Sequence, residues 1–101
     1  MMTEITNGLR EIEDRITSYC DQQGWRIESG HMWSWDGEGS RYCDLCESDD
    51  VYISIRVSDH SPTGSGSPCD VYIYPSDLDC WDGAIDRINS EMNFARLDAE
   101  A

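Results

Sequence analysis

The side chains capable of acid–base or nucleophilic chemistry are few, and they are not spaced as catalytic motifs. The chain has two histidines, His31 beside a Trp-rich segment and His60 in a segment rich in Gly, Ser and Pro. Asp59 and Ser61 flank His60, but adjacent loop residues do not point at one another as the members of a Ser–His–Asp triad must. A phosphate-binding loop is excluded because the chain contains no Lys. We therefore predict that the protein is not an enzyme.

The cysteines raise three alternatives, which are a metal site, a redox centre and disulfide bonds. Cys43 and Cys46 have the C-x-x-C spacing of a zinc half-site, but Glu47 follows them where a zinc knuckle usually has Gly. An odd number of cysteines without an export signal favours reduced thiols. We predict buried or half-buried structural thiols, with no metal and no cofactor. The five cysteines are Cys20, Cys43, Cys46, Cys69 and Cys80.

Charge is the most informative property of the sequence. Twenty-one Asp and Glu stand against seven Arg in 101 residues, which gives a formal charge of −14. Uncompensated carboxylates repel one another in a folded domain and lower its stability, so the excess needs a reason. Solubility and adaptation to concentrated salt are two alternatives. The interpretation we favour is imitation of nucleic acid, because duplex DNA also presents dense negative charge to the proteins that bind it. Direct binding to phosphates is disfavoured by the same repulsion.

The acidic residues predicted to bind a partner fall into two sets. The helix set is Asp79, Asp82 and Asp86, spaced i, i+3 and i+7 on the second predicted helix. Like charges at this spacing cost helix stability, so their presence favours a use in binding. The turn set comes from two predicted hairpin turns and the strand between them. Its members are Asp36, Glu38, Asp44, Glu47, Asp49 and Asp50.

Two amphipathic helices are predicted at the ends of the chain. The first covers Thr3–Gln23, with Thr3 as its N-cap and Gly24 ending it. The second begins at Ser76 as N-cap, with acidic residues in its first turn where the helix dipole favours anions. The apolar stripes expected to pack on a sheet are Ile5, Leu9, Ile12 and Ile16 in the first helix, and Leu78, Trp81, Ile85, Ile88 and Met92 in the second.

Alternating apolar residues between the helices predict a sheet. Short turns separate the first strands, and a Gly- and Pro-containing loop, 58–68, precedes the last one. The predicted fold class is α+β, a single domain over residues 1–101. We expect a two-layer sandwich with an antiparallel sheet of four or five strands and both helices on one face. The predicted strands are 25–29, 31–35, 41–46, 51–58 and 70–74.

The opposite face of this sheet is expected to be exposed to solvent. If the apolar residues of the strand 51–58 face the helices, Tyr52 and Arg56 face away from them. Tyr72 and Tyr74 are expected to join them from the last strand. An exposed row of tyrosines is a plausible contact surface because aromatic residues are enriched at interfaces. The alternative is that cross-strand tyrosine pairs simply stabilise the sheet.

In size, acidity, reduced cysteines and lack of a catalytic motif, the chain resembles small phage-encoded inhibitors of bacterial defence, the anti-CRISPR and anti-restriction DNA mimics. The resemblance rests on composition and on no motif. It implies a basic partner, either a CRISPR effector complex at the groove that reads its protospacer-adjacent motif or a restriction enzyme. The alternative from another class is an immunity-type protein that neutralises a toxin or nuclease. Because the sequence shows no export signal and no long apolar run, we expect a cytoplasmic location in a bacterial host cell.

Overall fold

The computed structural model describes residues 2–28, 34–35, 40–59 and 69–100. Two helices enclose a set of short strands along the chain, in the predicted order. A 3-10 helix directly precedes the second α-helix. The elements are α1 (Met2–Gln23), β1 (Arg26–Glu28), β2 (Ser34–Trp35), β3 (Ser40–Cys46), β4 (Tyr52–Ser58), β5 (Val71–Ile73), the 3-10 helix (Pro75–Cys80) and α2 (Trp81–Glu100).

The end of α1 is set by Gly24, as predicted. Its backbone has a φ of 76°, a left-handed conformation that glycine adopts without steric cost. The next residue, Trp25, then donates its backbone N–H to the carbonyl of Cys20 at 2.9 Å, which satisfies one of the last helical acceptors. The chain leaves the helix here and enters β1 two residues later.

The sheet is four strands wide. β3 pairs antiparallel with β4 along its whole length, while β1 and β2 pair antiparallel with successive parts of its other edge. β5 completes the sheet beside β4, but the two strands run parallel. The sheet is therefore mixed, and the expectation of a wholly antiparallel sheet is wrong at this one pair. The 12-residue connection 59–70 is long enough for the crossover that parallel strands need, whereas a short hairpin turn would have permitted only an antiparallel pair.

Both helices pack on one face of the sheet, which confirms the predicted α+β fold. Alternate residues of β3, β4 and β5 face the helices. Among them, Ile55 at the centre of β4 is fully buried. Five predicted stripe residues are fully buried, and three more pack half-buried against this core. The side chain of Ile5 lies outside the described residues. The five are Leu9, Ile12, Ile16, Ile88 and Met92, and the three are Leu78, Trp81 and Ile85.

The start of the second helical segment differs from the prediction. Ser76 is not the N-cap, because the 3-10 helix already begins at Pro75, a residue suited to the first helical position. Asp77 and Tyr74 close the first turn reciprocally. The Asp77 carboxylate accepts from the backbone N–H of Tyr74 at 2.8 Å, and the Asp77 N–H donates to the Tyr74 carbonyl at 2.8 Å. The acidic residue therefore caps this turn in place of a serine hydroxyl.

The second sheet face is polar, but it is not uniformly exposed as expected. Arg56 is only 4% exposed, and Ser40 and Ser58 are fully buried. Arg56 donates to the Ser40 hydroxyl at 3.0 Å and to the Tyr42 hydroxyl at 3.3 Å. The two serine hydroxyls are 2.8 Å apart. Hydrogen bonding of this kind is what allows an arginine and two hydroxyls to be buried.

Candidate partner-binding surface

Ion pairs divide the acidic residues into those already neutralised within the fold and those left to solvent. Arginine is the cation in each pair, since the chain has no lysine. An acid that holds an arginine in the folded state is less available to a partner, because its nearest counter-charge is already supplied. Pairs among the described residues include Glu11–Arg15, Glu13–Arg41, Glu28–Arg26, Asp49–Arg26, Glu47–Arg96 and Asp77–Arg87.

The helix set belongs to the second group. Asp79, Asp82 and Asp86 are exposed, and within the part of the chain that the structure describes none of them forms an ion pair or a side-chain hydrogen bond. Asp79 lies in the 3-10 helix and not on α2, so only Asp82 and Asp86 share a helical flank, one turn apart. The three carboxylates remain a connected acidic segment at the start of α2.

Three of the four described members of the turn set are engaged within the protein, although the side chain of Asp49 is 90% exposed. Arg96 donates from Nε to Glu47 at 2.8 Å, and this hydrogen bond lowers the pKa of the Glu47 carboxyl. Asp49 accepts from Arg26 at 3.0 Å, and Asp44 accepts from the hydroxyl of Ser54 at 2.7 Å. Asp50 is exposed. Asp36 and Glu38 lie outside the described residues. The two predicted acidic sets are therefore unequal, and the helix set is the more available one.

The three tyrosines do not form the predicted exposed row. Tyr52 is 52% exposed at the start of β4. Tyr72 is half-buried and pairs across the sheet with Arg56. Arg56 is four residues beyond Tyr52 on β4, so the strand position of Tyr72 is about 13 Å from that of Tyr52 at the usual strand rise. The hydroxyl of Tyr72 accepts from the backbone N–H of Cys69 at 3.0 Å. Tyr74 follows β5 and closes the 3-10 turn through its backbone.

Two exposed apolar residues were missed by the sequence reasoning. Phe94 and Leu97 on α2 are 61% and 62% exposed. Asp86, Ser90, Phe94 and Leu97 follow one another at spacings of four, four and three, so they form a single stripe on the solvent side of the helix. The sequence feature that could have revealed these two residues is this second periodicity, which is offset from the core stripe of the same helix. The solvent face of α2 thus combines carboxylates with exposed apolar side chains.

Strand geometry determines the directions in which the thiols of Cys43 and Cys46 point. Cys43 and Cys46 are three residues apart in β3, so they point to opposite faces of the sheet, and both are buried. One ion cannot readily be held by both. Burial raises the pKa of Cys20 to about 12 and also raises that of Cys43, which keeps these thiols protonated. Within the described ranges no three His, Cys, Asp or Glu side chains are grouped to hold a metal.

Comparisons with known proteins add no relative. No protein-family model matches the chain, and no match was found among curated proteins or solved structures. Neither helix within the described residues has an apolar stretch long enough to cross a membrane.

Proposed function

We propose that the protein is a non-enzymatic inhibitor that binds the basic DNA-binding surface of a bacterial defence complex as a nucleic-acid mimic. The observation that carries the proposal is charge density. The fold is 46 Å long, and 46 Å divided by 14 net charges gives about one charge per 3.3 Å. Duplex DNA carries a phosphate about every 1.7 Å of axis with both strands counted, and about every 3.4 Å along one strand. The average charge density of the protein is therefore about half that of the duplex, and it is similar to that of the single strand that a basic groove contacts.

Availability of the carboxylates supports the same proposal. Asp79, Asp82 and Asp86 are exposed, and no arginine neutralises them within the described structure. Two of them repel each other at the i, i+4 spacing of α2, which destabilises the free protein. A basic partner relieves this repulsion on binding, so part of the electrostatic cost in the free state becomes affinity in the complex.

The partner that fits is a protein whose own ligand is DNA. In an RNA-guided CRISPR effector, the groove that reads the protospacer-adjacent motif is lined by Arg or Lys that contact base edges and phosphates. A restriction enzyme presents a comparable cationic cleft. In either case an acidic globule 22–29 Å across its shorter dimensions competes with duplex DNA for the same side chains.

Competition with DNA is the direct test. A fluorescent duplex that carries the recognition sequence is bound to a purified CRISPR effector or restriction enzyme, and the protein is titrated in while anisotropy is recorded. We expect displacement of the duplex, with an apparent affinity that falls steeply between 50 and 300 mM salt, since charge dominates the complex. If the protein displaced DNA from none of the enzymes in a panel of this kind, the proposal would be overturned.

Two triple reversals locate the interface. Changing Asp79, Asp82 and Asp86 together to Arg removes several charge-assisted contacts, each typically worth about 1.5–3 kcal/mol when desolvated. The matched control reverses Glu47, Asp49 and Asp50, which alters the net charge equally but targets acids that the fold already engages in two of three cases. We expect the first variant to lose inhibition and the second to retain most of it.

The same assay separates the alternative of an immunity-type protein. A toxin antagonist blocks an enzyme's active site and leaves a DNA-binding surface elsewhere on its target unaffected. Inhibition of catalysis without displacement of the duplex, and without sensitivity to salt, would therefore favour that alternative over a mimic. Full potency of both triple-reversal variants would instead point to the tyrosines Tyr52, Tyr72 and Tyr74.

A further inference from the structure

A groove of about 680 Å³ runs between the two helices on the outer side of the helical layer. The helices lie side by side with contacts that progress in the same direction along both. Gly8 of α1 lies against Pro75, the first residue of the 3-10 helix that precedes α2, and the Tyr19 hydroxyl donates to the Asn89 side chain at 2.9 Å further along. This hydrogen bond fixes the spacing of the helices where the groove is formed.

The floor of the groove is apolar and aromatic. Tyr19 from α1 and Trp81 and Ile85 from α2 line it, and all three are half-buried because their inner sides pack against the core. The guanidinium of Arg15 covers the outer side of Trp81, whereas the outer sides of Tyr19 and Ile85 remain open to a ligand. The Tyr19 ring is further held by an edge-on contact with Trp25, at 5.6 Å between ring centroids. A floor anchored in this way is preorganised, which reduces the entropy lost on binding.

The rim of the groove is acidic. Asp14 from α1 and Asp82 from α2 are exposed, and neither forms an ion pair within the described residues. Glu11 is the third carboxylate of the lining, and Arg15 is its one cation. Arg15 donates to Glu11 at 2.8 Å, so three carboxylates against one guanidinium leave the groove with a net charge of −2.

The position of Arg15 shows which cation suits this lining. Its guanidinium carbon lies 5.4 Å from the centroid of the Trp81 ring, within the range of a cation–π contact. Guanidinium groups stack on aromatic rings and bind carboxylates in a planar fork, whereas an ammonium group is a compact and more strongly hydrated charge. Because Arg15 itself occupies the face of Trp81, a second guanidinium is favoured over an ammonium group by the open ring of Tyr19 and by the planar fork that it offers to the rim carboxylates.

We propose that the groove between α1 and α2 receives an arginine-bearing segment of the partner protein, with a guanidinium placed between Asp14 and Asp82. This inference rests on the proposed function for the nature of the partner, which is basic. It goes further in assigning a defined pocket and a preference for arginine, which a diffuse acidic surface does not have. Charge complementarity and the aromatic floor together select this occupant over an apolar or an acidic one.

The test uses two peptides of equal length and charge, one with two arginines separated by glycine and one with two lysines in the same places. Binding to the full chain is followed by NMR, through the indole N–H of Trp81 and the amides of both helices. We expect shifts centred on the groove, and affinity about three- to fivefold higher for the arginine peptide, as expected for an exposed cation–π contact. Equal affinities, or shifts centred on another surface, would overturn the inference.

Matched double variants separate the groove from overall charge. Asp14→Asn with Asp82→Asn should weaken arginine-peptide binding about tenfold, since two exposed ion pairs are lost. The control, Asp50→Asn with Asp98→Asn, removes the same charge from exposed positions outside the groove and should change affinity less than about twofold. Equal weakening by the two doubles would mean that net charge alone binds the peptide. Tyr19→Leu should reduce the preference for arginine while salt-sensitive binding persists.

These outcomes are distinct from failure of the proposed function. If the protein displaces DNA from its target and the Asp14→Asn, Asp82→Asn variant does so equally well, the groove is not the docking site and the mimic proposal stands. If the groove binds the arginine peptide but no DNA is displaced from any target, the groove stands and the mimic proposal fails.

Discussion

The guanidinium of Arg96 donates hydrogen bonds to the carboxylate of Glu47, with Nε 2.8 Å from Oε1 and 3.0 Å from Oε2. These residues are 49 positions apart, and the contact ties the last turns of α2 to the turn that follows β3. Asn93 adds to the anchor by accepting from Arg96 Nη1 at 2.6 Å. An acid that sequence reasoning assigned to a partner is thus used to hold the C-terminal helix onto the sheet.

This contact makes stability depend on pH in a defined direction. The hydrogen bond from Arg96 lowers the pKa of Glu47 below its ordinary 4.5. Its contribution is therefore complete above pH 4.5 and is lost as the pH falls through the depressed folded value. Glu47→Gln should cost about 0.2–1 kcal/mol at pH 7, because the pair is partly exposed, and should cost less at pH 3. Urea melts of both proteins over this range measure the difference, and a constant difference would contradict the prediction.

Glu13 should show the opposite dependence. Burial raises its pKa above the ordinary 4.5, although the guanidinium of Arg41 at 3.1 Å acts in the other direction. The folded protein therefore binds this proton more tightly than the unfolded chain, and stability contributed by protonation is lost as the pH rises through the folded value. Relative to Glu13→Gln, the natural protein should lose stability as the pH rises from 4.5. The same series of urea melts decides this, and a difference that grew in favour of the natural protein with pH would refute it.

The fold prediction rested on hydrophobic periodicity. Its errors lie at positions where contacts between residues distant in the sequence determine the structure. Ile12 and Ile88 could be assigned to the core because each repeats on a helical stripe that is buried as predicted. The direction of β5 could not be read from its residues, since strand composition is the same in parallel and antiparallel pairs. Arg56 was expected in solvent by alternation alone, but its hydroxyl partners Ser40 and Tyr42 come from another strand.

The candidate site was predictable only as a list of acids. Charge and spacing identified Asp82 and Asp86, but no local signal shows that Arg26 and Arg96 are directed at Asp49 and Glu47. Those pairings depend on long-range folding, so the ranking of the two acidic sets had to come from the structure.

Truncation within the helical layer should separate full burial from partial burial. Ile12→Ala should lower the free energy of unfolding by about 2–5 kcal/mol, because its side chain is fully buried between α1 and the sheet. Ile85→Ala is the matched control, since this residue is half-buried at the groove and should cost less. Denaturant melts give both values. If neither variant were destabilised, the assignment of the helical layer would be wrong.

The thiols should react in the order of their burial. Cys80 is exposed, whereas Cys20 and Cys43 are buried and held protonated by pKa values raised through desolvation. Alkylation of the folded protein should therefore modify Cys80 first, and the buried pair only after urea is added. Native mass spectrometry should give the metal-free mass, and a chelator should leave the melting curve unchanged. A stoichiometric zinc adduct would overturn the assignment of these cysteines as structural.

Self-repulsion of the carboxylates gives a last prediction, which also separates salt adaptation from mimicry. Asp82 and Asp86 are one helical turn apart, and neither forms an ion pair within the described residues, so Asp86→Asn should stabilise the fold by about 0.2–0.5 kcal/mol at 50 mM salt. The gain should shrink at 1 M salt, where the Debye length is only about 3 Å. Asp49→Asn is the control and should not stabilise, because it removes the ion pair with Arg26. Thermal melts at both salt concentrations measure these effects.

A protein adapted to concentrated salt should be unfolded at 50 mM salt, whereas a mimic should be folded there and should bind its partner most tightly under the same conditions.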